Sequence, residues 1–80
     1  MRVLLFGPLR DVAGWRERTL ASPPSSLAAL KAALARDDVA LGAALDRPGV
    51  QTAVNKAIVR GDATLAADAE VAFLPPMSGG

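Results

Sequence analysis

Neither cysteine nor histidine occurs in these 80 residues. The first absence removes any disulfide framework and any thiolate nucleophile, and makes a cytoplasmic location the natural expectation. The second removes the commonest general base. Together they remove two of the three main transition-metal ligands, so no metal site is expected. Aromatic residues are almost as scarce, with only Phe6, Trp15 and Phe73 present. Charge of one sign is missing too: nine basic against eight acidic residues leave +1, with no basic stripe. Nucleic-acid binding, which rests on neutralising many phosphates, is therefore not expected. The apolar start Val3-Leu4-Leu5-Phe6 is interrupted by Gly7-Pro8, so no secretory or transmembrane segment fits. No carboxylate cluster offers acid–base chemistry either. Asp37-Asp38 sits where a helix should end, and Asp11, Asp46, Asp62, Asp68 and Glu70 are scattered, all read as solvated surface charges. Unaided catalysis by this chain is not expected.

What is present suits one small domain. Hydrophobic residues make up 51% of the chain, but 17 of them are alanine, so a two-layer core is the most they support.

Met1 to Phe6 alternates as a strand, with Val3 and Leu5 on one face and Arg2, Leu4 and Phe6 on the other. Gly7-Pro8 breaks it, Leu9 to Ala13 suits one helical turn, and Gly14 ends that turn. Trp15 to Leu20 reads as a partly exposed strand returning beside the first. Ser22-Pro23-Pro24-Ser25-Ser26 is a loop with Ser26 as N-cap of a helix whose Leu27, Leu30 and Leu34 form one apolar stripe. Position 29, where a capping box wants Glu, is Ala, so the cap is only half built. Val39 to Leu45 is a second short helical segment before the turn Asp46-Arg47-Pro48-Gly49. Val50 to Asn55 is a strand, Asn55-Lys56 a tight turn, Ile58-Val59 a short strand, Leu65 a core plug from a loop, and Glu70 to Leu74 the last strand.

That order of elements is the β-grasp, or ubiquitin-like, arrangement: an α+β fold with a mixed sheet of four to five strands and one main helix packed on one face. A crossover through the helix would bring the third long strand in parallel to an earlier one. The other sheet face would stay uncovered. If Val3, Leu5, Val71 and Phe73 face the helix, parity turns Leu4, Phe6 and Leu74 outward, with Ile58. Phe6, Ile58 and Leu74 are then candidates for an exposed apolar patch beside the chain's last residues.

Those last residues are Pro75-Pro76-Met77-Ser78-Gly79-Gly80. The prolines favour an extended path, and a glycine pair has no β-carbons to obstruct entry into a narrow slot. From Pro76 to Gly80 an extended chain spans roughly 13 to 17 Å, enough to reach into another protein's active site. The expected division is a β-grasp domain over 1–76 and a flexible tail over 77–80, with the carboxylate of Gly80 as candidate reactive group.

The start Arg2-Val3-Leu4-Leu5-Phe6 through Leu9-Arg10-Asp11-Val12-Ala13-Gly14, the middle Ala53-Val54-Asn55 and the end from Glu70 to Gly80 resemble the small, sulfur-carrying subunit of molybdopterin synthase. The proline pair, two residues and Gly-Gly form the most specific part of that resemblance. They favour this family over the related thiamine sulfur carrier. The resemblance implies that a ubiquitin-activating-like adenylyltransferase uses ATP to adenylate Gly80, and that a sulfur donor protein turns the adenylate into a thiocarboxylate. The tail, Pro75, Pro76, Met77, Ser78 and Gly79 included, then enters the large subunit. That subunit performs catalysis and transfers the sulfur to cyclic pyranopterin monophosphate, two carriers making one dithiolene. It implies a heterotetramer of two small and two large subunits, no cofactor bound by this chain, and partner contacts at Phe6, Arg10, Ile58 and Leu74.

Alternatives stay open: a carrier for thiamine, cysteine or transfer-RNA thiolation, a ubiquitin-like protein modifier, or a plain interaction domain. The sequence departs from the family at Ala67-Asp68-Ala69-Glu70, where Asp-Gly-Asp-Glu is usual, and at Lys56, where a polar or acidic residue is common. The first puts the local turn geometry in question, the second any contact made by that side chain.

Overall fold

The computed structural model describes residues 1–76; the expected flexible tail, 77–80, lies outside the described residues. The elements run β1 (Arg2–Leu5), α1 (Pro8–Ala13), β2 (Glu17–Thr19), α2 (Leu27–Asp37), α3 (Val39–Leu45), β3 (Gln51–Val54), β4 (Ala57–Val59) and β5 (Glu70–Leu74). They form one five-stranded sheet in the order β2-β1-β5-β3-β4. The chain has the β-grasp fold. The neighbours β1 and β5 are parallel, and the other neighbouring pairs are antiparallel. The crossover through α2 does set β3 parallel to β2, but these two strands are not neighbours. The parallel ladder instead joins the first strand to the last, which makes β5 the central strand.

Alternation decides which face is buried. Val3, Leu5, Val71 and Phe73 are 2% exposed or less and pack against Leu27, Leu30 and Leu34 of α2 and Leu41 and Leu45 of α3. Full burial of a side chain such as Phe73 contributes roughly 1.5–3 kcal/mol. Leu65 closes the core from the loop before β5. It is held there by its N–H donating to the carbonyl of Ser25 at 2.8 Å, beside an isolated bridge between Ser26 and Thr64.

Two carboxylates read as plain surface charges prove to cap helices. The N–H of Ala29 donates to Ser26 Oγ at 3.1 Å, the expected cap, while Asp62 Oδ1 accepts from Ala28 N at 2.8 Å. A residue 34 positions away thus satisfies a donor next to the one Ser26 takes. Asp38 ends α2 and starts α3, its Oδ1 accepting from Leu41 N at 3.1 Å. The sharp bend lets α3 fold back on α2, and Gly42 packs against Ala35 so closely that no β-carbon fits between them.

The β3–β4 hairpin turns on Asn55 (φ 49°) and Lys56 (φ 70°), the left-handed pair that a two-residue turn of this type demands. Asn55 also ties the hairpin to β5: its Oδ1 accepts from Glu70 N at 2.9 Å and its N–H donates to Glu70 O at 2.8 Å. The loop before β5, where the sequence departs from the family, closes with Ala69 N donating to Ala66 O at 3.0 Å. Among the described residues no helix is long and apolar enough to cross a membrane.

Candidate functional site

The sheet face turned away from the helices is ordered in rows set by the register. One row carries Leu4, Ala72, Ala53 and Ile58 across β1, β5, β3 and β4. The two alanines keep its middle low, leaving Leu4 half-buried on one side and Ile58 49% exposed on the other. The next row, toward the chain's end, brings Phe6 beside Leu74. The N–H of Phe6 donates to the Phe73 carbonyl at 3.2 Å, and Leu74 pairs with Gln51. Phe6 is 44% exposed and Leu74 half-buried.

At the opposite end this face is charged. Arg2 donates to Glu17 on β2 through Nε (3.3 Å) and Nη2 (3.1 Å), and to Glu70 on β5 through Nη1 (3.0 Å). Its hydrogen bond and its charge hold the Glu17 carboxyl below the usual value, and the same contacts raise the Arg2 guanidinium. One end of the face is thus a wet, ion-paired rim, the other an apolar step leading to Pro75.

The way out of the domain is walled by two glycines. Pro75 lies against Gly7 in the β1–α1 loop and Pro76 against Gly49 in the α3–β3 loop; a β-carbon at either glycine would stand 2.9 Å from a proline ring carbon. On the helix side of the prolines a groove of about 330 Å³ opens among Pro8, Val12, Ala40, Ala43 and Arg47. A larger groove, about 630 Å³, lies elsewhere, between α2 and the β3–β4 hairpin, and brings Lys31, Asp46, Thr52 and Arg60 around it without any nucleophile–base pair.

The sequence candidates therefore fall into three places. Phe6, Leu74 and Ile58 share the open face, but Ile58 sits two strands from Leu74, about 10 Å across the sheet at ordinary strand spacing, and in the neighbouring row. Arg10 lies off that face on exposed α1, beside Asp11 and Trp15. Pro75 and Pro76 form the exit, while Met77, Ser78, Gly79 and Gly80 lie outside the described residues. Sequence reasoning turned Leu4 outward by parity but left it out of the patch, and it missed Ala53 and Ala72. Parity could have placed Ala72 on that face as well. It also missed the contacts of Gly7 and Gly49, read only as turn residues, for which no local signal exists.

A family model described as the ThiS family matches residues 3–80. The chain belongs to the ThiS family. It is thus a member of a ubiquitin-like sulfur-carrier family, whose proteins work with activating enzymes and partner enzymes. Among solved structures, the crystal structure of SAMP1 from Haloferax volcanii is similar over 100% of this chain and 98% of that one, at 26% identity and a TM-score of 0.83. The solution structure of small archaeal modifier protein 1 from Methanosarcina acetivorans matches at 24% identity and TM-score 0.83, covering 99% and 94%. Urm1 from Sulfolobus solfataricus matches at 19% identity and TM-score 0.65, covering 94% and 99%. The last two likenesses concern the fold alone. No curated protein matches the chain.

Proposed function

We propose that this ThiS-family chain is the sulfur-carrying small subunit of molybdopterin synthase, acting through the carboxylate of Gly80. The observation that carries this reading is the exit from the central strand: β5 ends in Leu74, an apolar step flanks it, and Pro75-Pro76 leads to Met77, Ser78, Gly79 and Gly80.

The chemistry needs little from the domain itself. A carboxylate is a poor electrophile, so an activating enzyme that holds ATP forms the acyl adenylate of Gly80 and releases pyrophosphate. Attack by sulfide at the acyl carbon then expels AMP, loses a proton to solvent and leaves C(=O)S⁻. The sulfur-bearing end enters the large subunit, which moves the sulfur to cyclic pyranopterin monophosphate. Two carriers serve one dithiolene, in a heterotetramer of two small and two large subunits in the cytoplasm. The chain needs no bound cofactor for this role, because ATP is bound by the activating enzyme and the sulfur comes from a donor protein. Absence of cysteine suits a carrier whose sulfur rides on its backbone terminus. Phe6 and Leu74, with Ile58 and Leu4 of the neighbouring row, supply the apolar contact that docks the domain while its end is in the channel.

A second reading has its own support. The likeness to a small archaeal modifier protein extends along the whole chain at 26% identity, and a modifier would join Gly80 to a lysine of its target. One experiment separates the two. Protein with and without Gly80 is incubated with ATP, an activating enzyme and sulfide, and its intact mass is measured. The carrier gains the difference between one sulfur and one oxygen, only when Gly80 is present, and loses it again on addition of large subunit and cyclic pyranopterin monophosphate. No gain with an enzyme proven on another carrier would refute sulfur transfer. Branched remnants on target lysines would instead select the modifier.

A further inference from the structure

Gly7, Gly14, Gly49 and Gly61 all have positive φ, at 59°, 80°, 89° and 74°. A left-handed backbone alone accounts for glycine at Gly14 and Gly61, where a β-carbon would meet nothing within 4 Å. It does not fully account for the other two. At Gly7 an added β-carbon would stand 2.9 Å from Pro75 Cγ, and at Gly49 it would stand 2.9 Å from Pro76 Cβ and 3.5 Å from Pro76 Cα. Two loops far apart in the chain thus present bare backbone to two consecutive rings.

The rings themselves are stiff. Each proline has φ locked near −65°, and a residue before proline is confined to extended backbone, so Pro75 is restricted twice. A ring seated on Gly7 and a second seated on Gly49 therefore leave the backbone at Pro76 little freedom of direction. The bond that leaves Pro76 is the start of the segment that must carry Gly80 into a partner.

We propose that Gly7 and Gly49 form a clasp on Pro75 and Pro76 that fixes the direction in which the chain leaves the domain, and that they are positioning residues for delivery of Gly80. The proposal rests on the reading of Gly80 as the reacting group. Docking through the sheet face and delivery through the clasp are separate tasks. A distorted clasp should therefore slow turnover by the activating enzyme while leaving recognition of the domain intact.

The test uses the full chain with the activating enzyme and ATP, following pyrophosphate release at varied carrier concentration. Gly49→Ala is compared with Gly61→Ala, which carries the same backbone strain with no proline in reach. The expected result is a fall in kcat of about ten-fold or more for Gly49→Ala, since small misplacements of a reacting group are costly, with KM within about two-fold. Gly61→Ala should change neither by more than about two-fold. Both variants should be folded at the assay temperature by thermal unfolding, so a fall in kcat confined to Gly49→Ala reports the contact with Pro76 and not a general loss of stability. Should Gly49→Ala fail to fold, Pro75→Ala with Pro76→Ala opens the clasp from the other side and should lower kcat with KM retained. Equal behaviour of Gly49→Ala and Gly61→Ala, or an unchanged kcat when Pro75 and Pro76 are both replaced by Ala, overturns the clasp while the carrier reading stands. Wild-type protein that is never adenylated by a competent enzyme overturns both.

Discussion

Replacing Gly42 by Ala should destabilise the domain although alanine is the better helix former. The added β-carbon would lie 2.5 Å from Ala35 Cβ and 2.8 Å from Ala35 Cα. Carbon atoms prefer separations of about 3.5–4.0 Å, so α3 must draw back from α2 by about 1 Å. No flexible side chain can yield, because the obstacle is a methyl group and the backbone that bears it. Overpacking of this kind costs about 1–3 kcal/mol, and the helix-propensity gain returns about 0.8–1.0 kcal/mol, for a net loss of up to about 2 kcal/mol. For a domain of this size that corresponds to a drop in Tm of up to about 16 °C. Urea and thermal unfolding of wild type, Gly42→Ala, Ala35→Gly and the double variant measure it. The double variant moves the single methyl from α2 to α3, so the two changes should couple by at least about 1 kcal/mol in the stabilising direction. A Gly42→Ala protein more stable than wild type by the full propensity gain of about 0.8–1.0 kcal/mol, or a cycle additive to within about 0.3–0.5 kcal/mol, would refute the close approach of the two helices.

Lys56→Gly should stabilise the hairpin by about 0.5–1 kcal/mol, because φ 70° suits glycine better than lysine; a lower urea midpoint would count against it. Glu17, whose folded pKa lies below its usual value, contributes stability that is present above the unfolded pKa and lost as pH falls through the folded one. An NMR titration should therefore find its midpoint below 4.5 in wild type and nearer 4.5 in Arg2→Ala; identical midpoints would dismiss the ion pair. Ile58→Asp, at a position 49% exposed, should leave Tm within a few degrees and, on the function proposed above, weaken binding to a molybdopterin synthase large subunit by about ten-fold or more. Unchanged affinity would remove Ile58 from the docking face.

Much of this architecture was legible from local pattern. Val3, Leu5, Val71 and Phe73 alternate with outward residues, and that period-two signal does not depend on strand order. Ser26 marked the start of α2, and Asn55-Lys56 announced a tight hairpin turn. What could not be read depended on partners distant in sequence. Asp62 adds a second cap, at Ala28 N–H, only because the loop before β5 crosses the helix start. The position of Ile58 in a row with Leu4, not with Leu74, follows from registers that parity leaves undetermined. Nor could the contacts of Gly7 and Gly49 be anticipated, since turn chemistry alone justifies both glycines.

Placing the last strand in the middle of the sheet also has a mechanical consequence. A partner that draws on the chain beyond Pro76 pulls along the axis of β5, which is laddered to β1 on one side and β3 on the other. The load is then shared by both ladders in shear, and no edge is available from which the bonds could peel one by one. The domain can act as a firm grip on the chain that leaves it, able to bear a pull there without unravelling.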